Sequence, residues 1–185
     1  MVRDLMNDAE SSMKKAIGSL KKDLGSFRTG RASPQLVENI PVVMYGAEMP
    51  LYQMAVISVP EPAQLAIRPY DANSISAIEK AIMTSDLGIM PNNDGKIIRL
   101  NLPRLTEERR RDLNKRVGRR AEEAKVAVRN VRRDAQDDLR DMKNESMLPE
   151  DDFHRALDDL QALTDKYIKE IDDTTKAKEK EIMEV

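Results

Sequence analysis

Three long stretches of the chain repeat apolar residues at steps of three and four, and each stretch is otherwise strongly polar. They lie within residues 6–27, 113–142 and 153–171, and the third stripe consists of Phe153, Leu157, Leu160, Leu163, Tyr167 and Ile171. This spacing is typical of amphipathic helices. No helix can bury such a stripe alone, so the sequence predicts three long helices that pack together. The short link at residues 144–148 makes the last two antiparallel neighbours.

Local signals predict where the second and third helices begin. Thr106 can cap the second helix, and the glutamates that follow it suit a helix N-terminus. Pro149 and the three acidic residues after it predict the first turn of the third helix. Gly118 interrupts the second helix at a cost of about 1 kcal/mol relative to alanine. It permits either a bend or the close approach of a neighbour.

Residues 30–104 follow a different pattern. Short runs rich in Val, Ile and Tyr alternate with Pro, Gly and Asn, which is typical of strands and turns. One helical segment lies among them, within residues 74–88. The predicted fold class is therefore α+β, with an antiparallel three-helix bundle formed by residues 1–29 and 105–185. A small β/α/β domain of residues 30–104 is inserted into it, and we expect an elongated, angular two-domain outline.

An inserted domain is joined to its host by two chain crossings, here near residues 29–34 and 102–106. Gly30 can end the first helix, and Pro34 and Pro103 block its continuation and the early start of the next. We predict that these three residues form a hinge on which the inserted domain swings.

The composition excludes several classes of chemistry. The chain has no cysteine and one histidine, His154, which argues against disulfides and the usual metal sites, so we expect no metal. It lacks a P-loop, a nucleophile elbow and a dinucleotide fingerprint. We therefore expect no enzymatic activity, no cofactor and no small-molecule substrate. Without a signal peptide or an apolar span, we expect a soluble, cytoplasmic protein with no membrane partner.

The charge is distributed very unevenly along the chain. Residues 104–133 contain twelve basic and five acidic residues, whereas residues 145–185 contain six basic and thirteen acidic ones. A basic block can be a nucleic-acid footprint. Alternatively, the two blocks are helices that pair with each other. Exposed pairs of that kind contribute only about 0–1 kcal/mol each.

The basic residues of the second helix fall on one flank, beside the buried stripe that contains Val128. A second group lies where the helix ends meet the predicted hinge. Arginine offers a planar fork for phosphate, and the scattered aromatics provide no platform for stacking bases, so contacts to RNA phosphates are expected. The candidate RNA-binding residues are Arg28, Arg31, Arg109, Arg110, Lys125, Arg129, Arg132 and Arg133.

Four stretches carry a resemblance to a known family: RTGRASP at 28–34, EKAIMTSDLG at 79–88, LTEERRRDL at 105–113 and VAVRNVRRDA at 126–135. In these, and over essentially its full length, the chain resembles bacterial ribosome recycling factors. The resemblance implies an outline like that of transfer RNA.

The resemblance also implies a function. Such a protein binds the post-termination ribosome between the subunits, on large-subunit rRNA. With elongation factor G and GTP it promotes subunit separation and the release of mRNA and tRNA. The family's RNA-contacting arginines correspond to Arg28, Arg31, Arg110, Arg129 and Arg132. We expect a monomer, and the alternative is a helical-bundle adaptor that binds protein partners through its charged faces.

Overall fold

Four α-helices and six β-strands form across residues 1–184, the part of the chain that the computed structural model describes. The helices are α1 (Val2–Gly25), α2 (Ile75–Thr84), α3 (Glu107–Asn144) and α4 (Glu150–Glu184). The strands are β1 (Pro41–Met44), β2 (Ala47–Pro50), β3 (Ala55–Glu61), β4 (Gln64–Pro69), β5 (Asn92–Asn93) and β6 (Ile98–Asn101). The predicted α+β class is confirmed. None of the helices in this part of the chain is both long enough and apolar enough to cross a membrane.

The chain divides into two compact units. The first comprises Met1–Leu24 and Asn114–Lys180, and the second comprises Gly25–Leu113 together with α4 from Glu181 onward. This division differs from the predicted domain boundaries at 29–30 and 104–105, which stay a prediction.

The first unit is the predicted three-helix bundle. The polar contacts between α3 and α4 show that residue numbers rise along one helix as they fall along the other. Lys125 pairs with Asp172 at 2.7 Å, and Arg132 pairs with Gln161 at 3.2 Å. Near the connecting turn, Lys143 pairs with Glu150 at 3.0 Å. The two helices are therefore antiparallel, as the short link predicted.

Helix α1 completes the bundle. Asp23, near its end, accepts a hydrogen bond from Arg120 of α3 at 2.6 Å. Leu5, near its start, shares a surface groove with Asp138, which lies about five turns beyond Arg120 on α3. Helix α1 is therefore antiparallel to α3 as well.

The bundle core follows the predicted stripes closely but not completely. On α4, Phe153, Leu160, Tyr167 and Ile171 are buried. Ala156 and Thr164 are also buried, whereas Leu157 and Leu163 are only half-buried. Their inclusion in the core stripe was wrong. The hydroxyl of Thr164 donates to the carbonyl of Leu160 at 2.8 Å, so this polar side chain can lie in the core without an unpaired donor.

The helix-start predictions are confirmed. Helix α3 begins at Glu107, and the Thr106 hydroxyl accepts a hydrogen bond from the backbone amide of Arg109 at 3.2 Å. Helix α4 begins at Glu150, directly after Pro149. At Gly118, a Cβ would meet nothing within 4 Å. The interpretation that this glycine permits close approach was therefore wrong.

The second unit contains two antiparallel sheets. Strands β1 and β2 form a hairpin, and the other four strands have the order β3-β4-β6-β5. Leu65 of β4 lies opposite Leu100 of β6, so the two side chains share one face of the sheet. They join Ile78 and Ile82 of α2 in one apolar core.

Candidate nucleic-acid interface

Arg129 and Arg133 lie one turn apart on α3, in the first unit, and both are exposed. On a helical wheel they fall about 100° and 140° from Val128, which is completely buried in the bundle. Neither side chain forms an ion pair or a hydrogen bond with another residue in the described range 1–184. The folding of α3 therefore presents two guanidinium groups whose charge is not offset by a contacting carboxylate.

Arg132 is held differently. It is half-buried at the edge of the seam, and its Nη1 donates to Oε1 of Gln161 on α4 at 3.2 Å. Its Nε is buried and has no hydrogen-bond partner among residues 1–184. The contacting group is a neutral amide, so it does not offset the charge of the guanidinium. Gln161 was not identified from the sequence, because a single glutamine in an acidic helix gives no recognisable signal.

Within residues 1–184, Lys125 is the one member of this flank that contacts carboxylates. Its Nζ lies 2.7 Å from Oδ1 of Asp172 and 3.4 Å from Oε1 of Glu122. The bond to Asp172 raises the pKa of Lys125 above its ordinary value, despite an opposing effect of burial. The sequence left open whether the basic residues of α3 bind RNA or pair with acidic residues of α4. Lys125 follows the second alternative, since it pairs with Asp172.

The second group of candidates lies in the second unit. Arg31 is exposed and has no ion pair within the described chain. Arg28 is half-buried, and its Nη1 donates to the backbone carbonyl of Leu87 at 2.9 Å. A carbonyl orients the guanidinium of Arg28 without offsetting its charge, so neither arginine is paired with a carboxylate among residues 1–184.

Arg109 and Arg110 follow the cap of α3. Arg109 is exposed and lies 3.4 Å from the carboxylate of Asp112, in a contact within one helical turn. Arg110 is half-buried, and its Nη1 donates to the carbonyl of Met183 at 3.3 Å. Its Nε is buried without a partner among the described residues. An exposed pair such as that of Arg109 contributes little, so phosphate could displace Asp112 readily.

All three predicted hinge residues lie in the second unit. Gly30 is buried and has φ of 83°, a left-handed conformation that favours glycine. Pro34 begins a short 3-10 helix, Pro34–Leu36, and Pro103 is exposed between β6 and α3. Thr29, which the sequence did not single out, is buried and donates to Oε1 of Glu181 at 2.9 Å. The hinge itself stays a prediction.

The described residues offer positive charge and hydrogen-bond donors rather than reactive groups. Across residues 1–184, no three or more His, Asp or Glu side chains are grouped to hold a metal ion. His154 is exposed on α4, 3.8 Å from Glu150. Guanidinium groups in this setting can bind phosphates in a bidentate manner.

Comparison with known proteins identifies the family. Residues 20–183 match the family described as ribosome recycling factor. The chain belongs to the ribosome recycling factor family. The ribosome-recycling factor of Halalkalibacterium halodurans is 56% identical over 185 residues, and the match covers 100% of both chains. That of Roseiflexus castenholzii is 54% identical over 185 residues, again covering 100% of both.

Solved structures of this family are also similar. A solution structure of a ribosome recycling factor matches with a TM-score of 0.80 and 47% identity, covering 100% of this chain and 98% of that one. A second match is the Thermus thermophilus ribosome recycling factor, described with Escherichia coli elongation factor G bound to the post-termination complex. It has a TM-score of 0.71 and 42% identity, and it covers 98% of both chains. The predicted family resemblance is confirmed.

Proposed function

We propose that the chain acts in ribosome recycling. It binds the post-termination ribosome between the subunits and, with elongation factor G and GTP, promotes subunit separation and the release of mRNA and tRNA. Family membership over nearly the whole chain supports this proposal. The similar T. thermophilus protein is described together with elongation factor G on the post-termination complex. The chain is not an enzyme, so the free energy of GTP hydrolysis comes from its partner.

The physical support for the proposal comes from arginines that have no carboxylate partner. Arg129 and Arg133 are exposed on α3 and have no carboxylate partner within residues 1–184, although α4 of the same bundle is rich in acidic residues. If these arginines served to hold the fold together, the acidic residues of α4 would be expected to contact them. Their charge is instead available to ribosomal phosphates, which bind arginine through strong charge-assisted hydrogen bonds.

The eight candidates are proposed to contribute unequally to rRNA binding. Arg129, Arg132 and Arg133 have no carboxylate partner within residues 1–184, whereas the charge of Lys125 is already offset by Asp172. Binding of RNA by Lys125 therefore gains little net free energy. This difference provides a matched pair of substitutions on the same helix.

The test is co-sedimentation with large ribosomal subunits across a salt series. We expect Arg129→Gln to lose a charge-assisted contact of about 1.5–3 kcal/mol, which is about 10- to 150-fold in affinity. The slope of log K against log salt should become shallower by about 0.7–0.9, as expected for one phosphate fewer. Lys125→Gln should change both quantities less. Equal losses in the two variants would contradict the assignment.

The parent protein separates the proposal from the adaptor alternative. An RNA-binding protein should sediment with large subunits at low salt and dissociate as salt rises. Failure to bind at low salt would favour the adaptor. In a light-scattering assay, subunit separation should require this chain, elongation factor G and GTP together. The chain alone should hydrolyse no GTP.

A further inference from the structure

The contact between Arg132 and Gln161 joins the predicted RNA-binding flank of α3 to α4 inside the first unit. We infer that Gln161 is a positioning residue for Arg132, which orients the guanidinium through a neutral acceptor and leaves its charge available to a phosphate. This inference rests on the proposed role of Arg132 in binding rRNA. It assigns a function in ribosome binding to a residue that contacts no RNA itself.

Gln161 is itself held in one orientation. Its Nε2 donates to Oδ1 of Asp165 at 2.8 Å, one turn further along α4. An amide has one donor end and one acceptor end, so this bond turns Oε1 towards Arg132, whose Nη1 donates to it at 3.2 Å. Two hydrogen bonds thus link Arg132 to Gln161 and Gln161 to Asp165. A guanidinium can only donate and a carboxylate can only accept, so the amide between them is fixed in one orientation.

The carboxylate of Asp165 does not reach Arg132 directly. No ion pair joins Arg132 to a carboxylate in residues 1–184, whereas Lys125 of the same helix lies against Asp172 at 2.7 Å. The two sites show two ways of fixing a cation between α3 and α4. A carboxylate carries a negative charge, so it offsets the charge of the cation and competes with phosphate for the same donors. A neutral amide also fixes the side chain of the cation, but it competes less with phosphate for the donors.

The geometry of Arg132 suits a prepared binding group. Its side chain is half-buried, and its Nε lies buried without a partner, so it is packed against the bundle and does not extend freely into solvent. A guanidinium has five N–H donors, and the bond to Gln161 uses one of them. The buried Nε–H is out of reach of a ligand, so the remaining donors on Nη1 and Nη2 are the ones available to phosphate. Part of the entropy loss of ordering a long side chain has already occurred in the free protein.

The first test uses Gln161→Met, which keeps the length and the helix propensity of glutamine but removes the acceptor. We expect affinity for large subunits to fall about 3- to 10-fold, the order expected for releasing one long side chain. In an Arg132→Ala background, the same substitution should change affinity by less than twofold. A merely structural role of Gln161 would give equal losses in both backgrounds, and that result would overturn the inference.

A second substitution tests the importance of neutrality. Gln161→Glu places a carboxylate against Arg132 and should weaken large-subunit binding by more than Gln161→Met, with a thermal midpoint no lower than that of the parent. Ala162→Glu is the matched control, because it adds the same charge to the exposed neighbouring position. Equal effects of the two glutamates would indicate simple repulsion of RNA and would overturn the inference.

A third measurement needs no ribosome. In the free protein, ¹⁵N relaxation of the Arg132 Nε–H group should report greater mobility in Gln161→Met than in the parent. Unchanged mobility would overturn the inference. If the parent binds and Arg132→Ala weakens binding but Gln161→Met does not, only the inference fails. If the parent does not bind large subunits, the proposed function fails and the inference with it.

Discussion

Two glycines in helix interiors allow the stability of the bundle to be changed in a calculable way. Gly18 lies in α1 and Gly118 in α3, and a Cβ added at either position would meet nothing within 4 Å. Alanine favours a helix interior over glycine by about 0.8–1.0 kcal/mol. No clash offsets this gain at either site. Each substitution should therefore increase the free energy of unfolding by nearly the full amount.

The expected shift can be measured by differential scanning calorimetry. In a chain of this size, 1 kcal/mol corresponds to about 2–4 °C in Tm, so Gly118→Ala should raise the Tm by that amount. Gly46→Ala is the matched control. Its Cβ would also meet nothing within 4 Å, but Gly46 has φ of +74°. A left-handed conformation costs a residue with a Cβ about 1–2 kcal/mol, so the same added methyl group should lower the Tm.

A lower Tm for Gly118→Ala would refute this reasoning. It would mean that α3 needs the backbone freedom of glycine at this point, which is the bend that the sequence left open. Neither Gly18 nor Gly118 is a candidate RNA contact, so ribosome binding should be unchanged in both alanine variants.

Three further predictions concern pH and motion. The carboxylate of Asp94 accepts hydrogen bonds from the backbone amides of Ile97 and Lys96 and from Arg99, which hold its pKa at about 2. The stabilisation by ionised Asp94 should be present above about pH 4 and lost as the pH falls towards 2. In Asp94→Asn, the midpoint of urea unfolding should therefore decline less steeply between pH 4 and pH 2. An unchanged dependence of this midpoint on pH would contradict the prediction. Burial and the hydrogen bond to Glu10 raise the pKa of Tyr167 to about 12. An ultraviolet titration should contain an ionisation near that pH that disappears in Tyr167→Phe, and the associated stabilisation should be present below about pH 10 and lost as the pH rises through 12. Gly30→Val strains a left-handed position and should reduce subunit separation more than ribosome binding; equal losses would remove the case for a hinge.

Sequence periodicity predicted the bundle because burial along a helix follows a geometric rule. The periodicity predicted the wrong buried residues at two positions of α4, where two sets of residues have similar three-and-four spacing. Leu157 and Leu163 satisfy the three-and-four pattern, but the buried face passes through Ala156 and Thr164 instead. A threonine is not marked as a core residue by hydropathy. Its burial depends on a hydrogen bond to the preceding turn, which only the folded helix provides.

The candidate site was predictable in its residue types and not in its pairing. The basic flank of α3 follows from the helical repeat alone. Whether a given cation is neutralised depends on which residue of α4 lies opposite, and this is set by the alignment of two helices that are distant in sequence. Lys125 meets an aspartate and Arg132 meets a glutamine, and no local pattern distinguishes the two cases.

The continuous helix α4 ties these cross-helix partners to the length of the chain. Adding or removing one residue within it, before Gln161, would displace the following side chains by about 1.5 Å along the helix axis and rotate them by about 100°. Gln161 would no longer face Arg132, and Asp172 would no longer face Lys125. Single substitutions can be absorbed one at a time along these helices, whereas a change in residue count inside α4 would break several such partnerships at once.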